Sequence, residues 1–595
     1  MLKNKYFYCI ILLLIGISIW WSIDFLKPDT YFNIGDSLFP FSPLKQLEAF
    51  FYPWQDSFGE GLGGDRTYAD PVSFYYYSGI AFLFKLGTPL WVCNRLFFLI
   101  PTWLVLFGSF FMIGAFLKGE GKNISALLGS IFLATSPPLM FITPLLHLAV
   151  AGMIISFGAL KKLLSTGKVF YLVVCALGFM MMTSMPRYWY LAIVSMGLFV
   201  FFWAVLNRKN ILRNKKTISK ILLYTVFFLV LVVLLNSYSV IPTMIFLSHH
   251  NSSELMPDKA AYLDRINVVD FYKGTAVPLY AMRLINNNQY SLYSNYYSDF
   301  MNLLVAFALV IFIFSFLVLK REQDIEFPIY ALVLTAGVII LLSAMLGMDL
   351  YKLLMKIIPG FWIINNPQYI LTPLALIYAI FLAFSVQQIY LLPKKSKTDR
   401  VRDAQLKTLR DCFVFCVALA IVVNNGIYFF DKTPKARKLF VSGEEDNTAM
   451  GNHLPFFKLP EEYRDLPGKL PVADRNARVL VLPLLTDGYM RYAWWPYRTM
   501  PDMVGALSSL RLAGVSFGPS RRIKLIKKLI CERQFASAAD IMRDLGYKYI
   551  FVHKDMLAYN YFFDKELETY LSNELTDSGE FKLVEDNDYY RIYKI

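Results

Sequence analysis

The carboxylates Asp36, Asp56, Glu60, Asp65 and Asp70 fall within the stretch Tyr31 to Gly87, which separates two strongly apolar segments near the start of the chain. Glycines and a dense aromatic set are interleaved with them, in N-I-G-D-S-L-F-P, W-Q-D-S-F-G-E-G-L-G-G-D-R and F-Y-Y-Y-S-G. Asp36 is placed about a dozen residues after the first apolar run, where a carboxylate could take the proton of an attacking hydroxyl. General-base help of that kind is worth roughly 10² to 10⁴ in rate. A Gly-Asp-Ser triplet also turns a chain, and the residues alone leave both roles open. Asp56 and Glu60 are four apart, so a helix beginning at W-Q-D-S-F-G-E would put them on one face. Their oxygens suit sugar hydroxyls or a divalent cation, or simply solvate a surface loop. The run Gly59 to Gly64 is not a phosphate loop, since no Gly-Lys-Ser/Thr follows it and no strand is expected before it.

Among cations, Arg187 in M-P-R-Y-W-Y is expected at the outer end of a helix beneath an aromatic cluster. A guanidinium fork there could grip a phosphate with two hydrogen bonds, or could merely snorkel to the membrane surface. Arg66, Arg95 and Arg283 are further candidates for an anion. His147 is expected to be a packing residue within a helix. His249-His250 opens a long loop, where adjacent histidines are usually solvated.

The elements that must hold these residues are membrane helices. The chain has 595 residues, 56% of them hydrophobic and 17% aromatic, with a mean hydropathy of +0.45. That is too apolar for ordinary soluble core-to-surface proportions. Runs of about 18 to 25 apolar residues match the length that crosses roughly 30 Å of hydrocarbon as a helix. The formal charge of +15 does not indicate nucleic acid, because the basic residues cluster between apolar runs: Lys118 and Lys122; Lys161, Lys162 and Lys168; Arg208 to Lys220; Lys320 and Arg321; Lys394 to Arg410. Cytoplasmic loops carry such a bias. Taking each cluster as cytoplasmic gives spans at 6–23, 91–117, 124–141, 144–160, 169–185, 188–206, 219–236, 301–319, 327–346, 369–391 and 412–429. This is about eleven crossings, with the N-terminus inside and the C-terminus outside. The first run lacks a small-residue cleavage site and is expected to stay as an anchor.

Val72 to Lys85 is too short to cross, and counting it would put three basic clusters on the wrong side. With Tyr75 to Tyr77 it suits the aromatic belt at the outer interface. The large polar loops, 24–90, 248–300 and 347–368, then collect on the outer face, the last with a second interfacial helix at 351–358. Beyond Asp431 the composition becomes mixed. Strand-like runs at 478–482, 547–552 and 589–593 alternate with helical patterns at 521–529 and 536–545. This predicts an extracytoplasmic α/β domain over 431–595. Of the six cysteines, five lie in or beside apolar runs, so no disulfide framework or metal motif is legible.

The order of basic start, one helix, Gly-Asp loop, W-Q-D-S-F-G, aromatic interfacial helix and L-G-T-P-L-W-V-C-N-R-L resembles the N-terminal membrane part of the arabinofuranosyltransferase family. The segment F-W-I-I-N-N-P-Q-Y, which includes Asn366 and Gln368, is similar to that family's aromatic-Arg-Asn-Pro-type segment, with Asn where Arg is usual. YfhO-like membrane glycosyltransferases share the outline. The resemblance covers most of residues 1–430. It implies a GT-C fold and an enzyme of the plasma membrane, with its catalytic face extracytoplasmic. Such an enzyme moves a sugar, arabinofuranose among the possibilities, from a polyprenyl-phosphate donor to a glycan or glycolipid acceptor. In it Asp36 matches the catalytic Asp, and Asp56, Glu60, Arg66, Arg187, Asn366 and Gln368 become candidate substrate contacts. No cofactor is implied with certainty; a divalent cation is the one possible addition. A lipid-linked glycan transporter would favour charges deep in several spans and paired broken helices. A non-catalytic envelope scaffold that binds glycan through its outer domain is the third reading.

Overall fold

The computed structural model describes residues 28–32, 71–119, 121–134, 144–208, 215–237, 371–391, 456–469, 478–483, 490–492, 495–499, 511–513, 521–556 and 573–595, with isolated positions between them. In chain order, short strands β1 (Tyr31–Phe32), β2 (Trp54–Gln55) and β3 (Gly64–Asp65) precede helix α1 (Pro71–Lys85). Apolar helices follow: α2 (Leu90–Phe116), α3 (Lys122–Ala134), α4 (Pro144–Thr166), α5 (Val169–Met181), α6 (Pro186–Leu206), α7 (Lys215–Leu235) and α8 (Leu371–Leu391). Then come β4 (Phe456–Phe457), α9 (Glu461–Lys469), β5 (Arg478–Leu482), β6 (Met490–Tyr492), β7 (Trp495–Thr499), β8 (Arg511–Ala513), α10 (Arg521–Cys531), α11 (Phe535–Asp544), β9 (Tyr547–His553), α12 (Glu574–Asp577), β10 (Lys582–Asp586) and β11 (Tyr590–Lys594).

The chain divides into two compact units. One comprises Met1–Ile23, Leu99–Val240 and His250–Gly443; the other comprises Asp24–Phe98, Ile241–His249 and Glu444–Ile595. In the first unit, α2, α4 and α6 are long and apolar enough to cross a membrane, and α3, α5, α7 and α8 contain shorter apolar stretches. The protein is a helical membrane protein. In such an environment lipid tails supply little driving force for helix association, so close backbone approach carries the packing. At the α4–α5 contact this is explicit. A Cβ on Gly152 would strike the Gly178 carbonyl, one on Gly178 would strike Ser156 Oγ, and Ser156 Oγ donates to the Cys175 carbonyl at 3.0 Å.

Several helix ends differ from the sequence expectation. α4 continues through Lys161 and Lys162 to Thr166 instead of ending at Leu160. Lys161 is buried, its ammonium 5.6 Å from the Phe116 ring centre and 6.0 Å from that of Phe199. Aromatic faces attract a cation, and the lysine stem packs as hydrocarbon, so this charge joins the helix instead of a loop. α6 begins at Pro186, taking Arg187 into its first turn, and α7 begins at Lys215. α1 forms where an interfacial helix is expected, burying Tyr77, Ile80 and Ala81 and exposing Tyr75 and Phe82.

In the second unit a five-stranded sheet has the order β10-β11-β9-β5-β8. β5 runs parallel to β8 and β9, while β11 is antiparallel to β9 and β10. The central strands are buried on both faces, which is why R-V-L-V-L and Y-I-F-V read as continuous apolar runs. Leu480, Leu482, Ile550 and Val552 share a core with Ile523, Ile526 and Ile530 of α10 and Ala538, Ala539 and Met542 of α11. Across the sheet, Tyr463 of α9 packs against Tyr590 and His553. Gly546, at φ +77, gives the left-handed residue that ends α11 and turns the chain into β9.

Candidate functional site

Residues 33–38, which contain Asp36, lie outside the described residues, but the chain on both sides of them is described. On the entering side β1 pairs antiparallel with β4, Tyr31 opposite Phe457 and Phe32 opposite Phe456. On the leaving side Phe39 is fully buried, 5.5 Å from the Phe41 ring and 5.6 Å from Phe97 of α2. Tyr31 in turn meets Phe41 edge-on at 5.0 Å, so one aromatic cluster holds both sides.

The cluster extends into α1 and α2. Tyr76 and Tyr77 pack on Phe97 at 5.1 and 5.6 Å, and the Tyr76 hydroxyl donates to the Phe97 carbonyl. Burial pushes the Tyr76 hydroxyl well above its ordinary pKa, with Tyr77 adding to the shift; it acts as a fixed neutral donor. Arg95 is buried at 4% exposure. Its guanidinium donates to Asn94 Oδ1 at 2.8 Å and to Thr30 Oγ1 at 2.7 Å, joining α2 to the residue just before β1. Burial raises the Tyr31 pKa, Arg464 and Arg95 oppose the shift, and Asp29 adds to it. The aromatic spacing signals an interface; nothing in the sequence singles out the Arg95–Thr30 bond.

Trp54–Gln55 is a strand, not a helix start, and pairs antiparallel with Gly64–Asp65. Tryptophan favours a pleated surface, and the glycines that follow favour a chain reversal. Asp56, Glu60 and Arg66 lie outside the described residues, as do Asn366, Gln368, His249-His250 and Arg283. Among the described residues there is no group of three or more His, Cys, Asp or Glu able to hold a metal.

Arg187 is the one expected substrate contact that is described. Pro186 opens α6 with its fixed φ and no wasted N–H, and Arg187 occupies the first turn, half-buried. Its Nη2 contacts the Met185 thioether at 3.7 Å. The next residue, Tyr188, is buried, and its hydroxyl lies 3.4 Å from Thr372 Oγ1 of α8, which fixes the rotation of α6 about its axis. Trp189 packs edge-on against Phe179 at 6.0 Å. An arginine in the first turn of a helix places its guanidinium at the positive end of the helix dipole, an arrangement suited to phosphate. His147 is half-buried in the first turn of α4. Within the aromatic segment around Tyr489 to Tyr497, β6 and β7 pair antiparallel, Tyr492 opposite Trp495.

No protein-family model and no curated protein matches the chain. Solved structures do. The chain is similar to the arabinofuranosyltransferase AftD from Mycobacteria, with a TM-score of 0.56 and 14% identity over 92% of this chain and 35% of that one. Two classes of an AftD variant give TM-scores of 0.58 and 0.60, each at 13% identity over 99% of this chain and 41% of theirs. The protein thus spans well under half the length of the AftD chain. At such identity the likeness establishes the fold, and the GT-C resemblance read from the sequence holds.

Proposed function

We propose that the protein is a membrane glycosyltransferase that moves a sugar from a polyprenyl-phosphate donor to a glycan or glycolipid acceptor on the extracytoplasmic face. The observation that carries this reading is the anchoring on both sides of Asp36 within a GT-C-type fold. β1–β4 pairing holds residue 32, and the Phe39–Phe97 contact holds residue 39. A catalytic base must be kept within hydrogen-bond reach of the proton it takes, and anchoring the chain on each side is how a loop meets that demand.

In the proposed reaction Asp36 accepts the proton of the acceptor hydroxyl as its oxygen forms a bond to the anomeric carbon. The bond from that carbon to the donor phosphate breaks on the opposite face, and polyprenyl phosphate leaves with the electron pair. Arg187 holds the phosphate and offsets the charge that grows on it. Asp56, Glu60, Arg66, Asn366 and Gln368 are assigned to sugar and acceptor contacts. Arabinofuranose is the first sugar to try. Asp56 and Glu60 could also hold a divalent cation through their carboxylate oxygens.

The test uses the full chain in proteoliposomes offered a panel of labelled polyprenyl-phosphate sugars with crude membrane glycolipid as acceptor. Label is expected in the glycolipid fraction with release of polyprenyl phosphate. Movement of intact donor across the bilayer without cleavage would support a transporter instead. Binding of glycan with neither transfer nor transport would support a scaffold.

A further inference from the structure

The helix α10, R-R-I-K-L-I-K-K-L-I-C, carries five basic residues among its eleven and no acidic one. Basic residues that orient membrane proteins lie in short loops near the ends of spans, within about 15 to 20 residues. α10 begins far beyond α8 and beyond the expected span at 412–429, so that rule does not account for it. Neither does the proposed transfer reaction use it.

Its two faces are sharply divided. Ile523, Ile526 and Ile530 are at most 1% exposed and pack into the core under the sheet. Arg522, Lys524 and Lys528 are exposed. Between Lys524 and Lys528, which are i,i+4 neighbours, stands Leu525, a large apolar side chain at 44% exposure. The neighbouring acids on this side are Glu532, 3.7 Å from Lys528, and Glu574, which pairs with Arg533 at 2.9 Å. The surface of α10 therefore remains net basic, with an apolar residue at its centre.

The unit that contains α10 also contains residues 24–98, and with them α1 and the first turns of the apolar helix α2. β1 and β4 join that first loop to the C-terminal region directly. The unit is thus continuous in sequence with α2, a helix long and apolar enough to cross a membrane.

We propose that the outer face of α10 docks on anionic phospholipid headgroups, with Lys524, Lys528 and Arg522 contacting phosphates and Leu525 entering the interface. Clusters of Lys and Arg on an amphipathic helix bind anionic bilayers through this combination of charge attraction and apolar burial. A soluble anionic polymer would satisfy the lysines but gives no role to an exposed leucine between them. The inference does not depend on the transfer reaction or on which membrane face the unit occupies.

The test places the photocrosslinking residue p-benzoylphenylalanine at position 525 of the full chain, in nanodiscs of phosphatidylcholine alone or with about one-third phosphatidylglycerol. Lipid adducts at position 525 are expected to be about tenfold more abundant in the phosphatidylglycerol discs, and to fall several-fold in about 1 M salt, where the screening length shrinks to roughly 3 Å. The double variant Lys524→Glu, Lys528→Glu is expected to abolish the difference between the two lipids. Equal adduct yield in both lipid compositions overturns the proposal without reference to any variant's folding. So does preferential crosslinking to added dextran sulfate in phosphatidylglycerol discs, which would make α10 a polymer-binding face.

Discussion

At the start of α2, Arg95 is buried and donates to two oxygens within hydrogen-bond distance, Asn94 Oδ1 and Thr30 Oγ1. At the start of α6, Arg187 is half-buried, and its contact to the Met185 thioether is long, at 3.7 Å. The residue beside it, Tyr188, carries the helix packing through Thr372. The same side chain at two helix starts is thus used in two ways. Arg95 fastens Thr30, just before β1, to a membrane helix. Arg187 sits in the first turn of its helix, one residue away from the contact that packs that helix. A buried guanidinium with good partners is a structural fastener, whereas an arginine in the first turn of a helix with partial exposure suits a phosphate.

The largest effect is expected from Arg187→Ala: transfer falls about 10² to 10³-fold, more than the change in unfolding midpoint explains, the size of loss seen when one donor to a developing anion is removed. Transfer assays beside thermal unfolding read both effects. Arg95→Ala should do the reverse, costing about 1 to 3 kcal/mol of stability because Thr30 and Asn94 lose a buried donor. The Arg95 and Arg187 assignments exchange if Arg95→Ala proves as stable as the parent yet inactive. Tyr188→Phe is expected to cost about 0.5 to 1.5 kcal/mol, with KM for the donor rising more than kcat falls, since it loosens α6 without touching the phosphate.

The smallest effect is a pH dependence. Burial, opposed by Arg464 and Arg95 and assisted by Asp29, raises the Tyr31 pKa in the folded protein. A raised pKa means that this contribution to stability is whole below the unfolded value of about 10 and is lost as pH rises through the folded value. Tyr31→Phe should flatten that alkaline limb in denaturant unfolding measured from pH 9 upward.

How much of this was legible depends on the range of the interaction. The helix expected at 91–117 is found at Leu90–Phe116, and the strand at 478–482 coincides with β5, because apolar runs and strand-like runs are local signals. α4 runs past its expected end at Leu160 to Thr166 because Lys161 packs beside Phe116 and Phe199, which are remote in sequence. The β1–β4 ladder joins two-residue segments more than four hundred positions apart, and so short a pairing leaves no periodicity to read. Of the candidate site, the sequence pointed to Asp36 and Arg187 by motif and position. It could not show Arg95 as a fastener, since that role rests on burial and on Thr30.

The central claim concerns Asp36, and Asp36→Asn tests it most directly. Asparagine keeps the size of the side chain and removes the base. In proteoliposomes given a polyprenyl-phosphate sugar that the parent protein transfers, the variant is expected to bind donor normally and to transfer about 10² to 10⁴-fold more slowly. Transfer at the parent rate by a normally folded Asp36→Asn protein would contradict the account.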